Sequence, residues 1–166
     1  MKVFLDANVF FAAARSPKGG SSFVLELAKK KKLEIVTVNH ALLEAEQNIL
    51  KKLSSRCLNQ YYQNLLEIKP KIQSIKFVTL GKIAKFGKVL PEKDTPILLG
   101  AIFSKSQILI TLDRKHFLGN EKLKSLKLPF EIMNPGDFLR KYFKQCQKLR
   151  KLLSYIRRFR RFLIIV

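Results

Sequence analysis

What the chain most lacks is negative charge. Across 166 residues it carries 12 Asp and Glu against 33 Lys and Arg, a formal net charge of +21. An acid in such a sequence is not generic solubilising charge, and each one calls for a reason. Cysteine is almost as scarce: Cys57 and Cys146 stand in neither CxxC nor other metal-ligand spacing. That excludes a disulfide framework and fits thiols in a reducing compartment. Long apolar runs are missing too. None reaches the roughly 18 residues that a membrane-spanning helix needs, and the closing FLIIV is far too short. The apolar start is broken at once by Asp6, so no signal peptide is expected and a cytoplasmic location is. There is no internal repeat and no low-complexity tract.

What is present is enough apolar material for a core. With 47% hydrophobic residues the length suits one domain with a short appendage. The positive excess predicts an anionic partner, either nucleic acid or an anionic membrane surface, with RNA or DNA favoured. Lys2–Leu5 reads as a buried strand, and Ala7–Ala14 as a turn or short helix. SPKGGSS is a loop from which Ser21 or Ser22 starts a helix to about Lys31. Residues 33–38 (LEIVTV) form a β-branched strand. Asn39 then caps a helix over 41–53 with Leu42, Leu43, Ile49, Leu50 and Leu53 on its apolar side. A helix over 56–69, a strand over 75–80 and a basic loop over 81–93 follow. Asp94 caps a helix to Lys105 with Pro96 in its first turn. Strands at 107–112 and 130–133 come next, and Asn134-Pro135 opens a last helix. Alternating strands and helices predict an α/β fold with a mostly parallel central sheet and helices on both faces.

Four acids stand out against this frame: Asp6 and Asp113 directly after strands, Asp94 at a helix start, and Glu44 within a helix. Ligands in open α/β sheets bind beyond the carboxyl ends of the strands, so Asp6 and Asp113 are expected in that crevice. Gathering like charges is costly unless a cation sits between them, which makes the group a candidate metal site. Bland explanations compete. Asp94 alone reads as an ordinary helix cap worth about 1 kcal/mol, and Asp113 as a turn former. An acid at position 6, between a buried strand and an apolar segment, is expensive to bury without a partner. Glu46 lies about 200° round the helix from Glu44, so only one of the two faces inward.

In order and context, Asp6-Ala7-Asn8 after the first strand, LLEAEQNI around Glu44, PEKDTPILLGAI with Asp94 and LITLDRKHF with Asp113 resemble the PIN-domain nucleases, specifically their prokaryotic VapC-like (PIN_3-type) branch. The resemblance covers about residues 1–140. It implies a three-layer α/β/α fold and a metal-dependent endoribonuclease, in which Asp6, Asp94 and Asp113 hold one or two Mg²⁺ or Mn²⁺ ions that activate water for in-line attack on an RNA phosphodiester. It matches the helical acid of the family to Glu44, with Glu46 as runner-up. Asn8 and Thr111 enter as supporting residues, Asn8 orienting an acid or water and Thr111 supplying a hydroxyl two residues before the last acid. A toxin's role with an antitoxin partner, and homodimerisation, are further implications; no antitoxin-binding signature or dimer interface is legible in the residues. The competing reading is a non-catalytic RNA-binding module, although four acids facing RNA would serve binding poorly. A phosphotransfer domain with Asp6 as nucleophile is disfavoured because Asn8 breaks the D-x-D pattern that it needs.

Basic residues flank the acids. Lys82, Lys85, Lys88 and Lys93 surround the loop before Asp94, with Phe86 among them, and Arg114 and Lys115 follow Asp113. Lys85, Lys88, Lys93, Arg114 and Lys115 are therefore expected RNA-backbone contacts, each alone being equally a solvated charge. His116 reads as a surface or core histidine before a general acid. A boundary is placed near residue 145, leaving 1–145 as the nuclease domain. Residues 146–166 form a basic amphipathic helical extension, read as an RNA-binding arm ahead of a partner or membrane helix or an incidental tail.

Overall fold

The computed structural model describes residues 1–75 and 89–143. Its centre is a five-stranded sheet in the order β3-β2-β1-β4-β5, from β1 (Lys2–Leu5), β2 (Glu34–Thr37), β3 (Lys71–Ile72), β4 (Ile108–Ile110) and β5 (Glu131–Met133), and every neighbouring pair is parallel. Parallel neighbours require crossovers. These are supplied by α1 (Ala7–Arg15), α2 (Gly20–Lys29), α3 (Asn39–Lys52), α4 (Ser55–Ile68), α5 (Thr95–Phe103) and α6 (Glu121–Lys124), while α7 (Pro135–Tyr142) follows the last strand. The result is the three-layer α/β/α arrangement.

β1 and β4 are buried on both faces, with Val3, Phe4, Leu5, Ile108, Leu109 and Ile110 at most 1% exposed. Such strands read as unbroken apolar runs rather than alternating ones, and each of these side chains contributes about 1.5–3 kcal/mol by leaving water. Helices α1, α2, α3 and α4 pack on one another, with α7 against α2. Ala13 and Ala14 of α1 and Ala41 and Ala45 of α3 are buried, and their small side chains let the two helices approach closely. On α5, a Cβ added to Gly100 would stand 2.7 Å from Phe4 Cζ and 2.7 Å from Val38 Cγ1. The helix thus lies directly on the sheet where it has no side chain.

Several details differ from the sequence reading. Helix α2 begins at Gly20, and Ser22 is buried with its hydroxyl donating to the Ala13 and Ser16 carbonyls (3.0 and 2.6 Å); it ties α2 to α1 instead of capping. Asn39 is the first residue of α3, after Val38, and no side chain caps that end. The buried face of α3 is Ala41, Ala45 and Ile49, whereas Leu43 and Leu50 are 57% and 61% exposed. The third strand is the two-residue Lys71–Ile72, and Ile75 lies past its end. The rest of the expected 75–80 strand falls outside the described residues, as do residues 81–88 of the expected basic loop, with Lys82, Lys85, Phe86 and Lys88, and the 146–166 extension. Asn134 caps α7 as expected, its Oδ1 accepting from the Asp137 amide at 2.9 Å with Pro135 in the first turn. Among the described residues no helix is long and apolar enough to cross a membrane.

Candidate functional site

The sheet order places a topological switch between β1 and β4. From β1 the chain winds outward through β2 and β3, then returns to β4 on the other side and continues to β5. Crossovers leaving in opposite directions open a crevice at the carboxyl edge there. Asp6 follows β1 at that edge, its amide donating to the Ile110 carbonyl of β4 at 3.1 Å; Asp113 follows β4.

Asp6 is 6% exposed and fully engaged. Its Oδ1 accepts from the Ala7 amide at 2.7 Å, as the N-cap of α1, and its Oδ2 accepts from Asn8 Nδ2 and Thr111 Oγ1, both at 2.6 Å. Burial pushes its pKa up to about 6, against the hydrogen bonds from Thr111 and Ala7, and the negative charges of Glu44 and Asp94 push the same way. Thr111 is wholly buried and joins the two sides of the crevice. Besides donating to Asp6, its hydroxyl accepts from Asn8 Nδ2 (3.1 Å) and from the Asp113 amide (3.0 Å). Asn8 closes the circuit, its Oδ1 accepting from the Leu112 amide at 2.8 Å. Both supporting residues expected from the sequence therefore stand in contact with Asp6.

Asp113 is held by the turn it starts. Arg114–Leu118 forms a single wide helical turn, and Asp113 Oδ1 accepts from the His116 amide at 2.9 Å. The turn former and the crevice acid are one residue. Asp94 ends a 3₁₀ turn (Glu92–Asp94) at the start of α5, yet its side chain makes no cap hydrogen bond. The ordinary-cap explanation is thereby removed. Instead Asp94 Oδ2 and Asp113 Oδ2 lie 2.9 and 3.0 Å from His116 Nδ1. Only the approach to Asp113 has hydrogen-bond geometry, so Asp94 Oδ2 is buried without a hydrogen bond. Burial raises the Asp94 pKa and Asp113 adds to the rise, while His116, Lys93 and His40 oppose it.

Glu44 lines a cleft of about 180 Å³ with Ala7, Asn8, Phe11, Asn48 and Lys52. Glu46 points elsewhere and accepts from the Tyr62 hydroxyl of α4. The choice left open by helix geometry thus falls on Glu44 as the acid beside Asn8 and Asp6. Lys93, Arg114 and Lys115 are exposed beside the acids. His116 is the residue that sequence reasoning undervalued. Its signal was the three-residue spacing from Asp113, which carries weight only on a helical turn.

Asp94, Asp113 and His116 offer ligand atoms within 4.8 Å of one another. A divalent cation fits this set: carboxylate oxygens suit Mg²⁺ and Mn²⁺, and a cation there would satisfy the buried oxygen of Asp94 that no hydrogen bond reaches.

The model of the PIN domain matches residues 2–115. Among solved structures, the crystal structure of VapBC2 from Rickettsia felis bound to a DNA fragment from their promoter is similar in fold, with a TM-score of 0.60 and 18% identity over 81% of this chain and 98% of that one. No curated protein matches the sequence.

Proposed function

The chain belongs to the PIN-domain family, and from that premise we propose that it is a Mg²⁺- or Mn²⁺-dependent endoribonuclease. The observation that carries this reading is the gathering of Asp94, Asp113 and His116 near the sheet's switch point, where Asp94 Oδ2 is buried without a hydrogen bond and Asp6 feels the charge of Asp94. Asp6, Asp94 and Asp113 hold the ion. A bound ion of this kind supplies a nucleophilic water at neutral pH and neutralises charge on the phosphodiester oxygens. Asn8 and Thr111 fix the orientation of Asp6, and Thr111 also anchors the Asp113 backbone. Glu44 completes the negative cluster from the α3 side. Exposed Lys93, Arg114 and Lys115 bring RNA phosphates to the crevice. Lys85 and Lys88 of the nuclease unit (residues 1–145) and the 146–166 arm beyond it are assigned the same task. By analogy of fold with the VapBC2 structure, we place the enzyme as the toxin of a toxin–antitoxin pair, dimeric and acting in the cytoplasm.

The reading is tested by incubating the purified protein with labelled single-stranded RNA in Mn²⁺ or in EDTA. Cleavage in Mn²⁺ and none in EDTA is expected. Binding without cleavage under any divalent ion would support the RNA-binding module instead.

Thr111→Val, nearly isosteric, tests the support of Asp6. It removes one of the two donors to Asp6 Oδ2 and strands the Asp113 N–H, at about 1–3 kcal/mol of stability. Cleavage is expected to fall about 10- to 100-fold, as for other residues that orient a metal ligand. Thermal unfolding and initial cleavage rates measure the two effects.

A further inference from the structure

We propose that His116 is itself a ligand of the ion, through Nδ1, and that this nitrogen makes the centre favour first-row transition ions over Mg²⁺. The inference rests on the metal-centre reading above and adds a donor to its carboxylates. Ligand atoms at adjacent corners of an octahedral shell with bonds of about 2.1 Å stand about 3 Å apart. Nδ1 stands 2.9 Å from Asp94 Oδ2 and 3.0 Å from Asp113 Oδ2, already at that spacing. Hydrogen bonding alone does not satisfy the trio. Nδ1 carries at most one hydrogen, its geometry serves Asp113, and Asp94 Oδ2 is left buried without a hydrogen bond. A cation facing all three atoms removes the deficit.

The imidazole is also carried by an anchored turn. The His116 amide donates to Asp113 Oδ1, and Asn120 Nδ2 donates to the His116 carbonyl at 3.0 Å and to the Val89 carbonyl at 2.9 Å. That segment leads to Asp94, so one asparagine ties together the stretches bearing all three donors. Imidazole nitrogen adds little to the binding of Mg²⁺, which prefers oxygen, and more to that of transition ions.

The full chain loaded with Mn²⁺ tests this by pulsed electron paramagnetic resonance. Coupling to a directly bound ¹⁴N is expected in the wild type and absent in His116→Gln, whose amide can still hydrogen-bond Asp113. Titrations with Mn²⁺ and Mg²⁺ should show the Mn²⁺-over-Mg²⁺ preference falling about 10-fold or more in the variant. Mn²⁺ bound with no nitrogen in its shell overturns the inference and leaves the metal centre standing. A nitrogen signal that persists in His116→Gln overturns it too, since the chain's other histidine, His40, would then be the source. A wild type that binds no Mn²⁺ at all removes the metal centre together with this ligand. Neither measurement depends on RNA cleavage.

Discussion

Replacing Asp94 with asparagine is expected to lower metal-dependent RNA cleavage at least about 100-fold while leaving the metal-free protein as stable as the wild type or slightly more so. A residue that merely orients a ligand already costs 10- to 100-fold when lost, and Asp94 is assigned to the ion itself. The stability half follows from its surroundings. An acid at a helix start usually earns its place by capping, and its removal then costs about 1 kcal/mol. Asp94 makes no such bond, and burial and Asp113 disfavour its charge. Asparagine keeps the shape and removes the repulsion. Cleavage rates and melting temperatures in EDTA measure both halves. A clear fall in melting temperature would return Asp94 to the role of a structural cap.

The second large effect concerns Asp6 and pH. Its pKa is about 6 in the folded protein against 3.8 unfolded, so between those values the folded state holds a proton that the unfolded state has released. Stability from this group is fully present below about pH 4 and is lost as pH rises through 6. About two pH units at 1.36 kcal/mol each give a loss of about 3 kcal/mol. Asp6→Asn cannot titrate. In EDTA, the difference in unfolding free energy between wild type and variant should therefore move by about 3 kcal/mol in the variant's favour from pH 3 to pH 7, with about 2 kcal/mol of it between pH 4 and pH 6. The absolute offset depends on how the asparagine amide meets the donors of Asn8 and Thr111, but the slope does not. Chemical denaturation at several pH values gives this difference, and a flat one would mean that Asp6 is not the strained acid described. Mn²⁺ should restore stability to the wild type above pH 6, because binding to the folded state alone stabilises it.

Much of this was legible because burial leaves a strong imprint on sequence. KVFL followed by Asp6 and ILI followed closely by Asp113 announced two core strands ending in acids, and Asn134-Pro135 announced a capped helix. Other features depend on partners that one segment does not encode. Whether Leu43 or Ala45 of α3 faces inward is decided by the approach of α1, where small residues win. Glu46 turns away from the crevice because Tyr62, sixteen residues later, takes it. The strand Lys71–Ile72 is too short to show any period, and it follows Pro70. His116 was obscured because its closeness to Asp94 is a tertiary contact, and its closeness to Asp113 needs the turn at Arg114–Leu118. Asp94 itself read as a cap from sequence, and only the absence of its cap bond in the fold frees it for the crevice.

The most direct test of the central claim is the chemistry of the cut. A single-stranded RNA incubated with wild type or with Asp6→Asn/Asp113→Asn, purified side by side, should be cleaved by the wild type alone and only with Mn²⁺ or Mg²⁺ present. The products should carry no 2′,3′-cyclic phosphate, because water rather than the ribose 2′-hydroxyl is the nucleophile. Cleavage that survives EDTA, persists in the double variant or leaves cyclic phosphate ends would contradict the account, as would no cleavage at all.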